Sequence, residues 1–244
     1  MDEKELSPVE LTQISLERID ETNDKTNAFL NVYPEMALAD AKKIEEKIIK
    51  GEPVGLMAGI PTSIKDLEPV KNMITTKGSL LNKNEISDVD QIGVERIKEH
   101  DGIILGKTNV PEAGSSGTTE NKLGDDCRNP WNLEYSAGGS SGGTGASVAS
   151  GVTPVAQGSD GGGSIRIPSS FCGIYGIKGT QGRIPRRKAG FSSWHPVNFS
   201  CMGPMSRYVI DSAIMMQVMA GPHAEAESGT IQTSPPDFIS NIEA

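Results

Sequence analysis

The chain has 244 residues, enough for one large domain or two small ones with a buried core. Aromatic residues are only 5 % and glycine is 28 of 244, yet there is no G-X-Y period, so collagen is excluded, and periodic apolar segments exclude full disorder. The net charge is −9, which argues against a general nucleic-acid binder. No stretch reaches the ~18 apolar residues of a membrane span, and the acidic start MDEKELSP is no secretory signal. No nucleic-acid partner, no membrane and a cytoplasmic location are therefore expected.

In chain order, Ser7-Pro8-Val9-Glu10 reads as a helix start, with Ser7 as N-cap, Pro8 at N1 and Glu10 closing a capping box. Helical spacing continues to about Thr22. A second helix is predicted from Pro34 to Lys50, with Gly51 as its stop. Gly59 to Asp66 holds a short strand, Val89 to His100 an amphipathic helix and Gly102 to Gly106 an apolar strand. This alternation predicts an α/β protein with a mixed sheet sandwiched between helices.

The middle differs. Gly138 to Gly182 contains 14 of the 28 glycines, and Ser136 to Ser170 contains nine serines and no aromatic residue. Apolar punctuation argues against a linker: Ala146 to Ser150 reads as a helix of small residues and Val152 to Ala156 as a strand. The segment from Gly138 to Lys188 carries a charge of +5, leaving −14 on the remainder. Its basic run from Arg183 to Lys188 is expected to be a solvated loop. Asp211 to Ala220 is predicted as a core-facing Met-rich helix, and residues 222–244 as a disordered tail. Cys127, Cys172 and Cys201 form no CxxC, and no histidine has a second ligand at metal spacing, so reduced thiols and no metal are expected.

Three chemistries compete for the glycine-rich centre. A phosphate loop fails because neither GK[ST] nor G-x-G-x-x-G is present. Gly138-Gly139-Ser140-Ser141-Gly142 matches the G-x-S-x-G elbow, with Asp211 and His223 in triad order, but Asn132 to Ser136 is a poor strand to precede it. In the third reading, Ser164 follows three glycines whose N–H groups could hold an oxyanion. Lys65, ending an apolar strand, is then a candidate base, because desolvation disfavours its protonated form. Spacing alone does not connect Lys65 to Ser164.

The run GGSSGG from Gly138 to Gly143, with Ser164 inside DGGGSIR, resembles the amidase signature family. GIPTSIKD (Gly59 to Asp66), GKTNVPE (Gly106 to Glu112) and RNPWN (Arg128 to Asn132) carry the same resemblance in the same order. It implies hydrolysis of a small-molecule carboxylic amide, without cofactor, by a Ser–cis-Ser–Lys triad and an acyl-enzyme. Ser164 would be the nucleophile, Ser140 the bridging serine after a cis peptide, and Lys65 the base. Gly161, Gly162 and Gly163 would form the oxyanion hole. Ser141, Asp160 and Arg166 would brace the loops, and the segment around Gly114 would bind substrate.

Some positions depart from the family pattern. Gly161 replaces a common Thr, and Gly179 replaces the usual Pro. Ile167 stands where the A subunit of the glutamine-dependent tRNA amidotransferase typically has Gln, which favours a stand-alone amidase over that subunit. Family members are typically much longer. The resemblance therefore implies a partial domain, 1–221, with helices in 1–50, a core in 55–221 and the signature segment at 138–182. Such a chain would await a C-terminal segment, form a homo-oligomer, or survive as an inactive interaction module.

Overall fold

The computed structural model describes residues 6–187 and 200–242, so Lys188 of the basic run lies outside the described residues. Helix α1 (Pro8–Thr26) starts at the capping box, with Ser7 and Glu10 exchanging side-chain and main-chain bonds, and ends on left-handed Asn27. Strand β1 (Phe29–Val32) leads into α2 (Pro34–Lys50), which stops at Gly51 in the left-handed region. Then follow β2 (Pro61–Lys65), α3 (Ile92–Glu99) and β3 (Ile103–Thr108). A hairpin of β4 (Arg128–Asn129) and β5 (Asn132–Ser136) precedes α4 (Gly142–Ala149) and β6 (Val155–Asp160). The described chain closes with α5 (Arg166–Cys172), β7 (Tyr175–Gly176), β8 (Cys201–Ser206) and α6 (Val209–Met219).

Six strands form one mixed sheet in the order β1-β3-β2-β6-β8-β7. β2 is parallel to both β3 and β6, while β1, β8 and β7 join antiparallel. β4 and β5 pair apart from it. β2, β3 and β6 are buried along their whole length, as parallel strands covered on both faces must be. One apolar cluster joins Ile19, Ala41, Ile44, Ile103, Leu105 and Ala146, so α1, α2 and α4 share it with β3. The other joins Ile64, Val94, Ile97, Met202, Met215 and Met219, bringing α3 and α6 together with β2 and β8. Each fully buried Ile or Leu contributes ~2 kcal/mol of transfer free energy. The sheet therefore lies between helices, and the Met-rich α6 faces the core.

Helix α4 is built of small residues because it sits directly on main chain. A Cβ on Gly143 would come within 2.2 Å of Asn109 N and 2.4 Å of Ala28 O, and backbone atoms cannot step aside. Gly143→Ala is expected to cost about 3 kcal/mol, read as a lower urea midpoint. An unchanged midpoint would show that α4 can lift off the strands.

Two expectations are corrected. The basic run is not a solvated loop. Arg186 bonds Glu68 at 2.7 Å and Ser200 at 2.9 Å. Arg187 pairs with Glu95 and Glu225 and donates through its main chain to Gln91 Oε1 at 2.6 Å. The Arg186 and Arg187 guanidiniums thus meet acids from the β2 turn, α3 and the segment after α6. The tail does not stand apart either: it lies against the Gly182 turn and against α6. Ile231 N bonds Gly182 O at 2.9 Å, Phe238 N bonds Gln217 Oε1 at 2.9 Å, and the Phe238 ring packs on the α3–α6 cluster. All three cysteines are buried, and burial pushes the Cys172 thiol up to about 12. Among the described residues no helix is long and apolar enough to cross a membrane.

Candidate active site

The site gathers where the parallel strands β2 and β6 end side by side. Lys65 is the last residue of β2 and its side chain is fully buried. Its main-chain N–H donates to Gln157 Oε1 at 3.1 Å, which fixes the strand end against β6. Its Nζ donates to Ser140 Oγ at 2.8 Å and to Ser159 O at 3.0 Å. Burial lowers the pKa of this amine to about 7; the Glu68 carboxylate pulls it back up and the Arg186 guanidinium pushes it down. Near neutral pH a large fraction of Lys65 is thus the free amine, able to take a proton from the serine hydroxyl beside it.

Ser140 is 2 % exposed and follows a cis Gly139–Ser140 peptide. The loop carrying it is held from both sides. Thr119 Oγ1 donates to Gly138 O at 2.8 Å. Ser141 Oγ donates to Ser159 O at 3.1 Å and accepts from Ser159 N at 3.3 Å. Ser141 N donates to Ser164 O at 3.1 Å, so one residue ties the Ser140 loop to β6 and to the Ser164 turn.

Asp160 ends β6 with a fully buried side chain. Its Oδ1 accepts from Gly163 N at 2.7 Å, and its Oδ2 from Ile165 N at 3.1 Å and Arg166 N at 3.3 Å. The Arg166 guanidinium closes a two-pronged pair, Nε to Oδ2 at 2.9 Å and Nη2 to Oδ1 at 3.0 Å. Burial would raise the Asp160 pKa, but Arg166 and the three N–H donors hold it well below the usual carboxylate range. Asp160 and Arg166 thereby shape the turn that presents Ser164, itself half-buried.

The expected residues are therefore brought together, with two qualifications from the geometry. Among the described residues no hydrogen bond joins Ser140 Oγ to Ser164 Oγ; Ser164 is tied in through its carbonyl alone. Such bonds are often formed only in the substrate complex. Within the expected oxyanion set, Gly161 and Gly162 are exposed, but the Gly163 N–H is committed to Asp160. Gly163 serves the turn instead, because its φ of 123° is a backbone conformation that favours glycine. Gly114 lies against the site, since a Cβ there would stand 3.3 Å from Ser140 Oγ and 2.6 Å from Leu67 Cδ1. Asp211 and His223 of the elbow reading take no part, because Lys65 occupies the hydrogen-bonding position beside Ser140.

Sequence reasoning missed Gln157 and Ser159, which hold Lys65, and the buried set Asp66, Glu68, Lys107 and Arg186 around its turn. Asp66 and Lys107 lie inside the family motifs, which is a usable signal. Glu68 and Arg186 carry none.

The sequence profile of the family named Amidase matches residues 10–242. The A subunit of glutamyl-tRNA(Gln) amidotransferase from Clostridium botulinum (strain Eklund 17B / Type B) is 44 % identical over 89 % of this chain and 44 % of its own length. The acylamidase of Rhodococcus erythropolis is 41 % identical over 89 % of this chain and 45 % of its own. The crystal structure of a bacterial aryl acylamidase of the amidase signature family superposes with a TM-score of 0.92, at 36 % identity, over 98 % of this chain and 49 % of that one. The chain thus spans about half the length of the curated relatives it matches. The expectation of no nucleic-acid partner is overturned by the first of these: a relative at 44 % identity belongs to an enzyme named for a tRNA. Net charge describes the average field of a chain, not what an assembly containing it acts on.

Proposed function

This chain belongs to the amidase family, and we propose on that premise that it cleaves a carboxylic amide through an acyl-enzyme on Ser164. Neutral Lys65 accepts the Ser140 proton while Ser140 accepts that of Ser164. The Ser164 Oγ–carbon bond forms as the carbonyl π pair moves to oxygen, where the N–H groups of Gly161 and Gly162 would receive the charge. Collapse breaks the carbon–nitrogen bond, and the leaving nitrogen takes a proton from Ser140, resupplied by Lys65. Water then repeats the sequence on the ester and releases the acid. The observation that carries this reading is the buried 2.8 Å contact between Lys65 Nζ and Ser140 Oγ.

For the substrate, the relatives favour the side-chain amide of glutamine, with the ammonia passed on to a misacylated tRNA by a larger assembly. Four matches to the A subunits of glutamyl-tRNA(Gln) amidotransferases, at 40–44 % identity, support it. A stand-alone acylamidase is the second reading, supported by the 41 % identical acylamidase and by the aryl acylamidase fold. The test is ammonia release from glutamine, with and without amidotransferase partner subunits, beside hydrolysis of an aryl anilide. Ser164-dependent ammonia is the expected result. Anilide cleavage without glutamine turnover would overturn the glutamine reading and keep the amidase; neither activity, with partners present, would leave an interaction module.

A further inference from the structure

The turn after Lys65 holds buried charge that the proposed reaction does not consume. The side chains of Asp66, Glu68 and Lys107 are fully buried. Glu68 N donates to Lys65 O at 3.0 Å, so this carboxylate is carried by the same tight turn as the base. Its Oε1 accepts from Arg186 Nη2 at 2.7 Å and its Oε2 from Gln91 Nε2 at 3.3 Å. A buried ion pair gains little stability, because desolvation offsets the attraction. A pair kept beside a buried amine can act on that amine instead.

The charges around the ends of β2 and β6 come in opposed couples, and of these Glu68, Arg186 and Asp160 act on Lys65. Asp66 pairs with Lys107 of β3 at 3.1 Å. Asp160 of β6 pairs with Arg166 of α5 at 2.9 Å. Glu68 of the turn pairs with Arg186 at 2.7 Å. Asp160 is also braced by three main-chain N–H groups, and Lys107 also holds Glu68 O at 2.8 Å and Thr75 Oγ1 at 2.9 Å. Among the described residues the Glu68 carboxylate is hydrogen-bonded by Arg186 and Gln91 alone, so it is the couple whose balance a single substitution can tip.

We propose that the Glu68–Arg186 pair sets the proton affinity of Lys65, Arg186 cancelling the pull of the Glu68 carboxylate so that the base stays uncharged near neutral pH. Both are positioning residues that act through Lys65. The direction of each charge's influence on Lys65 agrees: after burial, Glu68 is the largest contributor favouring the ammonium and Arg186 the next, opposing it. The catalytic consequence rests on the reading of Lys65 as the base.

The experiment follows the Lys65 amine by NMR in lysine-labelled protein, assigned with Lys65→Met, alongside the pH dependence of fluorophosphonate addition to Ser164. Glu68→Gln should move the Lys65 midpoint down and Arg186→Gln should move it up, each by about one unit. Labelling on the acidic side should then change about tenfold in opposite directions. Arg186→Lys, which keeps the charge, should restore the original midpoint. Should Arg186→Gln fail to fold, the near-isosteric Glu68→Gln decides alone: no shift, or an upward one, overturns the proposal. Opposite shifts in Lys65 with labelling rates that ignore them would support the proposal and overturn Lys65 as the base. Wild-type labelling that tracks Lys65, with midpoints unmoved in the variants, would overturn the proposal alone.

Discussion

Ser164→Ala is expected to lower amide turnover by about 100,000-fold and to abolish the covalent fluorophosphonate adduct, while the protein unfolds as cooperatively as before. The loss is large because no second hydroxyl occupies that turn position, between the glycines of β6's end and the start of α5. The fold should tolerate it because the main chain, not the hydroxyl, holds the turn. Ser164 O accepts from Ser141 N at 3.1 Å, and Asp160 anchors Gly163, Ile165 and Arg166 on either side. The hydroxyl itself makes no hydrogen bond among the described residues. Intact mass after labelling, beside a thermal melt, reads both halves. Turnover surviving in a clean preparation would put the nucleophile elsewhere.

Lys65→Met is expected to lower the labelling rate about 1,000-fold and to erase the acidic limb of the pH profile. Burial first, and then the local charges, bring Lys65 to about 7. The free amine is the active form, so the wild-type rate should rise with pH through that value and level off above it. Below it the rate should fall about tenfold per unit, as the neutral fraction does. Met keeps the length and loses the lone pair. Lys65→Arg should be as inactive, since a guanidinium does not deprotonate in this range. A limb at the same position in the Met variant would assign it to another group.

What the sequence made legible follows from how locally each feature is determined. α1 and α2 carry their boundaries in neighbouring residues: the Ser7–Glu10 box, Pro34 and Gly51. β3 is apolar at its core and bounded by glycine and charge, so it announces itself. β6 does not. Hydropathy places a strand at Val152 to Ala156, whereas the structure runs it from Val155 to Asp160. Its second half is polar and still buried, because Gln157 and Ser159 hold Lys65 and Asp160 holds the next turn. Polar residues satisfied by distant partners look like loop in a one-dimensional pattern. The same reason hides Glu68 and Arg186, whose burial depends on each other across 118 positions of chain. The candidate triad residues came from the family resemblance. Composition suggested the Ser164 turn and Lys65 separately and could not join them.

The adjacency of β2 and β6 also bears on the order in which the molecule is made. Lys65 meets Ser140 across 75 positions and Ser159 across 94, while α1 and α2 carry their start and stop signals in neighbouring residues. Parallel neighbours must wait for everything between them to find its place, and such distant closures come slowly. A partly folded chain can therefore be rich in helix and have no site at all. The appearance of a labelable serine during refolding would then mark the last act of assembly, long after the helical signal has recovered.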